Sequence, residues 1–182
     1  MAANQPQWPR EWLMTDERLG ERLREAIEAL PSGAGVVFRH YGLTNEARLE
    51  LGLRLAEIAR ERDLMLAVAG SQILAERLGA ALVHNPDEPG AKPCSMAVHD
   101  EQQALAARSA GAVLAFVGPV FPTRSHPGAP ALGVGRATAL AGQAGCPAIA
   151  LGGMNRARFE ELKFSGFYGW AGIDAWLGEI RT

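Results

Sequence analysis

Short runs of apolar residues alternate with longer amphipathic segments along most of the chain. The eight apolar runs are 12–14, 36–38, 64–69, 81–83, 96–98, 113–117, 148–151 and 167–170. They lack the apolar–polar alternation of a strand with one solvated face, so they predict strands buried on both faces, as in parallel sheets. Strands that alternate with helices indicate βαβ units.

The segments between these runs carry apolar residues at helical spacing. Helices are predicted over 17–30, 45–62, 72–78, 100–109, 135–144, 155–163 and 173–180. Residues 85–93, between the fourth and fifth strands, contain three prolines and are predicted to form an irregular loop. Eight strands with this connectivity predict an α/β fold, a compact (β/α)8 TIM barrel. The chain is short for that fold, so an open doubly wound sheet is the alternative.

Composition narrows the class of protein. The 182 residues include 48% hydrophobic and 21% charged residues, which predicts one globular domain over residues 1–182. With a net charge of −2 there is no basic excess, so neither a nucleic acid nor a membrane is predicted as a partner. The N-terminus lacks the features of a signal peptide, and Cys94 and Cys146 are isolated in sequence. A reducing, cytoplasmic location is therefore predicted.

Candidate chemistry lies where the predicted strands end. In a barrel the loops after strands 7 and 8 often hold a phosphate. Gly152 and Gly153 directly follow the seventh run, where backbone N–H groups can approach an anion, although a tight turn without a ligand selects the same residues. Ala171 and Gly172, at the end of the eighth run, are also small enough to leave their backbone N–H groups exposed.

A long loop over 118–133 carries further polar groups. Thr123 and Ser125 offer hydroxyls, and His126 offers a ring nitrogen, all suited to a phosphate. Long loops in a tightly built domain are usually functional.

Three stretches together resemble the thiamine-phosphate synthase and TenI family. They are GPVFPTRSHPG at 118–128, AIALGGMN at 148–155 and YGWAGI at 168–173, and the resemblance extends over nearly the whole chain. It implies the (β/α)8 barrel despite the short chain. It also implies a reaction that joins hydroxymethylpyrimidine pyrophosphate to thiazole phosphate and releases pyrophosphate, with a small phosphorylated heterocycle as the partner.

The resemblance assigns the thiazole phosphate to one half of the site. The residues that match this half of the family site are Thr123, Ser125, Gly152, Gly153, Ala171 and Gly172. The other half, which holds the pyrophosphate, departs from the family pattern. Arg39 is kept, but Tyr41 stands in place of a lysine and Gly70 in place of the aspartate that binds magnesium. Asp87 or Glu88 could serve as a second metal carboxylate only if its loop shifts.

Mg²⁺ is therefore a doubtful cofactor, and no metal ligand is assigned. Arg39 and His126 are the candidate catalytic residues, because departure of pyrophosphate requires neutralisation of its charge. His84 and His99 are predicted to line the site, with a structural role as the alternative, and the arginines on helices are interpreted as solvated. Because the pyrophosphate half is altered, two other functions stay open. One is a TenI-like thiazole tautomerase, although Pro119 stands where that branch has its histidine, and the other is a non-catalytic binding protein. A homo-oligomer is compatible with the sequence.

Overall fold

Eight parallel strands form the centre of the protein. The computed structural model describes residues 8–124, 128, 130–162 and 164–178. The strands are β1 Glu11–Met14, β2 Gly35–Phe38, β3 Met65–Ala69, β4 Leu82–His84, β5 Cys94–Val98, β6 Leu114–Val117, β7 Ala148–Leu151 and β8 Gly169–Gly172. Each pairs in parallel with the next, and β8 pairs with β1, so the sheet closes into a barrel. The prediction of a compact (β/α)8 barrel is confirmed, and the open sheet is wrong.

The helices surround this barrel. They are α1 Leu23–Glu28, α2 Asn45–Glu61, α3 Gln72–Arg77, α4 Glu101–Ser109, α5 Gly133–Ala144 and α6 Arg156–Leu162. Side-chain oxygens at predicted caps accept backbone hydrogen bonds, as the Asp100 carboxylate does from Gln103 N at 2.8 Å. The Asn155 amide oxygen accepts in the same way from Arg158 N at 2.9 Å. These two caps fix where α4 and α6 begin, and hence the length of the loops that precede them at the barrel mouth.

Two predicted helices differ from the structure. The segment predicted as one helix over 17–30 divides into a 3₁₀ helix, Glu17–Arg22, and α1, because Gly20 takes non-helical angles (φ 49°, ψ −129°). After β8, where a helix was predicted over 173–180, the described residues contain only a 3₁₀ turn, Asp174–Trp176, and the chain is extended at Leu177. The eighth strand also lies two residues later than the apolar run predicts.

Large side chains fill the barrel. The Trp12 and Phe116 rings meet edge to face with centroids 5.5 Å apart, and both residues are fully buried. Gly35, on the neighbouring strand, makes room for the indole, because a Cβ there would lie 2.2 Å from Trp12 Cε3. The interior is therefore a packed core, and any ligand has to bind at one end of the barrel.

The connection between β4 and β5 carries no helix. Residues 85–93 form an irregular segment, as predicted, that is tied to the barrel by backbone hydrogen bonds. Asp87 N donates to the Gly70 carbonyl oxygen at 3.0 Å, and Asn85 N donates to the Ser95 carbonyl oxygen at 2.8 Å. This short connection therefore brings residue 87 to the end of β3. Among the described residues, no helix is long and apolar enough to cross a membrane.

Candidate active site at the carboxyl ends of the strands

A cavity opens where the strands end, which is where barrel enzymes carry their chemistry. It encloses about 110 Å³, which is room for several water molecules and so for a phosphate group. Its lining residues come from the ends of β1, β2 and β5–β8: Met14, Arg39, His99, Gly118, Pro119, Thr123, Leu151, Gly152, Gly153, Met154, Gly172, Ile173, Asp174 and Ala175. Arg39, His99, Thr123, Gly152, Gly153 and Gly172, all predicted from sequence, are therefore brought together.

The turn after β7 forms one wall of the cavity. Gly152 and Gly153 both have left-handed backbone angles, with φ of +92° and +62°. The loop after β6 runs against this turn, since Val120 N donates to the Leu151 carbonyl oxygen and Phe121 N donates to the Gly152 carbonyl oxygen. In contrast, the N–H groups of Gly152, Gly153 and Met154 have no hydrogen-bond acceptor among the described residues. Such N–H groups beside a cavity are suited to an anion.

The other residues predicted to bind phosphate are placed differently. Ala171 is fully buried in β8 and pairs in register with both Trp12 and Leu151, so its backbone belongs to the sheet. It does not line the cavity, which takes its wall from Gly172 onwards. Ser125 and His126 lie outside the described residues, so their predicted roles stay predictions.

Charged residues stand close to this turn. The Arg124 guanidinium pairs with the Asp174 carboxylate at 3.2 Å, so the one acidic side chain among the described lining residues has a cationic partner. Arg158 donates from Nη1 to the Gly153 carbonyl oxygen and lies over the Phe121 ring. The sequence interpretation took Arg158 as solvated, and the residue is exposed, but its guanidinium also reaches back to the turn.

Arg39 is held rigidly at the end of β2. Its Nε donates to the Thr15 carbonyl oxygen at 2.7 Å, and its Nη2 pairs with Asp16 Oδ2 at 3.0 Å. Burial lowers the pKa of Arg39 from its usual value, and the charge of Asp16 opposes that shift. An arginine stays charged even so, because its unperturbed pKa is far above neutral. The cavity therefore has one fixed positive charge at its β2 side.

His99 belongs to the cavity wall and His84 does not. The His99 Nδ1 lies 2.5 Å from the Gly118 carbonyl oxygen, so this nitrogen carries the proton and Nε2 is the acceptor when the ring is neutral. His84 is only 2% exposed, with its Nδ1 3.1 Å from Ser95 Oγ and its ring against Phe116. His84 is not among the described residues that line the cavity, because the side chain of this last residue of β4 packs against Phe116 inside the barrel, and its predicted role at the site stays a prediction.

Burial, with smaller contributions from the charges of Arg39 and His99, lowers the pKa of His84 to about 3. In the unfolded chain this histidine takes up a proton near pH 6.5, so acid favours unfolding. We expect the free energy of unfolding to fall as the pH falls below 6.5, with a slope approaching about 1.4 kcal/mol per pH unit. Urea unfolding from pH 8 to pH 4.5 measures this slope.

The variant His84→Asn is the control for that titration, since an amide can still hydrogen-bond Ser95 but does not titrate. We expect a shallower slope for His84→Asn. Part of the pH dependence should remain, because burial also lowers the pKa of His40. Equal slopes in the two proteins would contradict the assignment.

The rim over β2, β3 and β4 contains groups that sequence reasoning missed or left unplaced. Gly70 has a φ of +78°, and a Cβ built there would lie 2.8 Å from Asp87 Oδ2. The Asp87 carboxylate thus fills the space beside residue 70 without any shift of its loop. Arg48, on α2, reaches this rim as well, with its Nη2 2.7 Å from the Ala69 carbonyl oxygen.

These side chains do not make a magnesium site by themselves. Among the described residues, no three His, Cys, Asp or Glu side chains are grouped so that they could hold a metal ion. Asp87 supplies a single carboxylate, whereas Mg²⁺ in proteins usually takes one or two carboxylates together with waters and the phosphates of a substrate. No catalytic step is therefore assigned to a metal.

Comparison with known proteins decides the family. The thiamine monophosphate synthase family matches residues 11–176, which include every strand of the barrel and the whole cavity. The chain belongs to this family. The resemblance seen in the sequence motifs is confirmed.

Individual members of the family are similar over most of their length. The thiamine-phosphate synthase of Mycobacterium sp. (strain JLS) is 35% identical over 85% of this chain and 79% of its own. That of Chloroflexus aurantiacus is 30% identical over 90% of this chain and 83% of its own. A solved structure of thiamine phosphate pyrophosphorylase from Pyrococcus furiosus superimposes with a TM-score of 0.76, covering 93% and 88% of the two chains at 24% identity. That structural likeness supports the fold.

Proposed function

We propose that this protein is a thiamine-phosphate synthase that joins hydroxymethylpyrimidine pyrophosphate to thiazole phosphate. The observation that carries the proposal is the shared cavity. Arg39, a fixed cation from β2, lines the same cavity as the N–H-bearing turn Gly152–Gly153 of β7. One cavity thus offers a charge for a leaving group beside a cradle for a second phosphate.

The thiazole phosphate is assigned to the turn after β7. The N–H groups of Gly152, Gly153 and Met154 would donate to its oxygens, and the Thr123 hydroxyl would add a further donor from the loop after β6. The pairing of Asp174 with Arg124 limits the repulsion between its carboxylate and the phosphate. Binding here would fix the orientation of the thiazole ring relative to the second substrate.

The proposed reaction needs a group that stabilises the negative charge on the departing pyrophosphate, and it needs no proton transfer. The carbon–oxygen bond between the pyrimidine methylene and the pyrophosphate breaks, and its electron pair leaves with the pyrophosphate. The lone pair of the thiazole nitrogen forms the new carbon–nitrogen bond. Arg39 would stabilise the charge that develops on the departing oxygen, a role that in enzymes is often the largest single contribution. A neutral, buried His84 is consistent with a reaction that needs no base in the barrel.

A second candidate function is an isomerase acting on the thiazole phosphate, similar to the TenI branch. The observation that favours it is His99, whose Nδ1 is tied to Gly118 and whose Nε2 would be a proton acceptor at the cavity wall. Such a reaction moves a proton within one substrate and consumes no pyrimidine.

The decisive assay supplies both precursors with Mg²⁺ and follows products by chromatography. We expect thiamine phosphate and pyrophosphate to appear in equal amounts, and only when both precursors are present. Isomerisation of the thiazole alone would support the second candidate. Tight binding of thiazole phosphate with no turnover under any of these conditions would show a binding protein and contradict both enzymatic functions.

A further inference from the structure

Arg48 has a position that differs from that of an ordinary helical arginine. It lies in the first turns of α2, but its side chain folds back over the ends of two strands. Its Nε donates to the Arg39 carbonyl oxygen at 3.0 Å and its Nη2 donates to the Ala69 carbonyl oxygen at 2.7 Å. The guanidinium therefore bridges the end of β2 to the end of β3.

Aromatic rings hold the same group from the sides. The guanidinium carbon lies 5.6 Å from the centroid of the Phe38 ring and 5.4 Å from that of Tyr41. These contacts and the two carbonyls restrict a side chain that would otherwise lose much conformational freedom on binding a ligand. Arg48 is thus positioned in advance, as a binding residue has to be.

No ion pair with another described residue balances the charge of Arg48. Within the described residues it makes no salt bridge, whereas Arg39 pairs with Asp16, and Arg54 on the same helix pairs with Glu50. Burial lowers the pKa of Arg48, with Tyr41 and Asp87 acting in the opposite direction. Its hydrogen bonds to the two strand carbonyls use two of the five guanidinium N–H donors, which leaves three for a ligand or water.

The order of the strands around the barrel places the Arg48 guanidinium opposite the turn after β7. The strands follow one another in sequence around the barrel, so β2 and β3 face β6 and β7 across the mouth. A substrate phosphate at Gly152–Gly153 and an anion at Arg48 would therefore occupy opposite sides, with Arg39 beside the second anion. That arrangement fits two phosphorylated substrates whose reacting atoms meet over the centre of the barrel.

We propose that Arg48 binds the pyrophosphate of the pyrimidine substrate and acts together with Arg39. The inference rests on the proposed function, because it names the residue that completes the second half of that site. The cation would come from α2 and not from residue 41, where the chain has a tyrosine. Pyrophosphate carries several negative charges, and guanidinium groups bind such oxygens through paired, charge-assisted hydrogen bonds.

The test is calorimetric titration of the whole protein with inorganic pyrophosphate. Arg48→Gln removes the charge and keeps an amide that can still reach a strand carbonyl, and Arg48→Lys keeps the charge without the planar fork. Arg54→Gln is the matched control, an exposed arginine six residues along the same helix. We expect affinity to fall about tenfold or more in Arg48→Gln, to fall less in Arg48→Lys, and to stay within twofold in Arg54→Gln.

Steady-state kinetics and thermal melting distinguish a loss of pyrophosphate binding from a loss of folding. The KM for the pyrimidine pyrophosphate should rise about tenfold in Arg48→Gln, while the KM for thiazole phosphate stays unchanged. Unchanged pyrophosphate affinity in a folded Arg48→Gln would overturn the inference, as would equal effects on both KM values. If Arg48→Gln melts below the assay temperature, wild-type affinity and KM in Arg48→Lys would overturn it instead. Arg48-dependent pyrophosphate binding in a protein without turnover would uphold this inference while the proposed function fails.

Discussion

Replacing Arg39 by methionine is expected to lower kcat/KM for thiamine phosphate formation by about 10²–10³-fold, the usual cost of removing one stabiliser of transition-state charge. The guanidinium lies at the β2 side of the cavity, fixed by the Thr15 carbonyl and Asp16. Arg39 is the only arginine or lysine among the described residues that line the cavity, since Arg48 lies on the rim over β2 and β3. Steady-state kinetics with both precursors measures the loss.

The fold should survive this substitution. Asp16 keeps a second partner, because Arg18 Nε lies 3.0 Å from its Oδ1. We therefore expect a melting temperature within a few degrees of the wild type. Arg39→Lys is the matched variant, which retains a charge but cannot reproduce the planar contact to both Thr15 and Asp16, and it should recover part of the rate. A wild-type rate in folded Arg39→Met would exclude Arg39 from the chemistry.

Gly152→Ala should have a large effect on both stability and ligand binding. The backbone at Gly152 has a φ of +92°, and a Cβ there would lie 2.5 Å from Pro119 Cα, which belongs to the backbone. We expect the free energy of unfolding to fall by about 2–3 kcal/mol or more, from the strained conformation together with displacement of the loop after β6. Urea unfolding measures this, and calorimetry measures thiazole phosphate affinity.

A glycine in open surroundings provides the comparison. Nothing lies within 4 Å of a Cβ built at Gly135, in α5, so Gly135→Ala should leave the affinity unchanged and stabilise the protein slightly. If Gly152→Ala lowers stability while thiazole phosphate still raises its melting temperature as much as in the wild type, the turn is structural and the phosphate binds elsewhere.

Much of the barrel could be predicted because the information is local. Strands buried on both faces leave continuous apolar runs, as at 36–38 and 148–151, and the helix caps are single residues with clear chemistry. The first helix was predicted wrongly because its apolar spacing continues through Gly20, whose backbone angles end the regular turn. The eighth strand was placed too early because the apolar run ends at Trp170, whereas the strand continues through the small residues Ala171 and Gly172, which carry little hydrophobic signal.

The candidate site was predictable only where motifs lie on strand ends. Arg39, His99 and the Gly152–Gly153 turn follow strands directly, so the fold fixes their position. Arg48 and Asp87 depend on long-range contacts, one from a helix reaching over two strands and one from a loop crossing to β3. Neither contact leaves a signal in local spacing. His84 shows that a position at a strand end is not sufficient. The alternation of side chains along the strand decides whether such a residue faces the cavity or the core, and His84 packs against Phe116.

The length of the helix-free connection between β4 and β5 determines where the Asp87 carboxylate lies. Its nine residues, 85–93, hold Asp87 beside Gly70 by way of one backbone hydrogen bond to the end of β3. An insertion that rebuilt a helix on the outer wall at this point would draw that carboxylate away from the mouth. The length of this segment therefore sets where the Asp87 carboxylate lies, and an insertion that most surface loops tolerate would here change the charge at the rim.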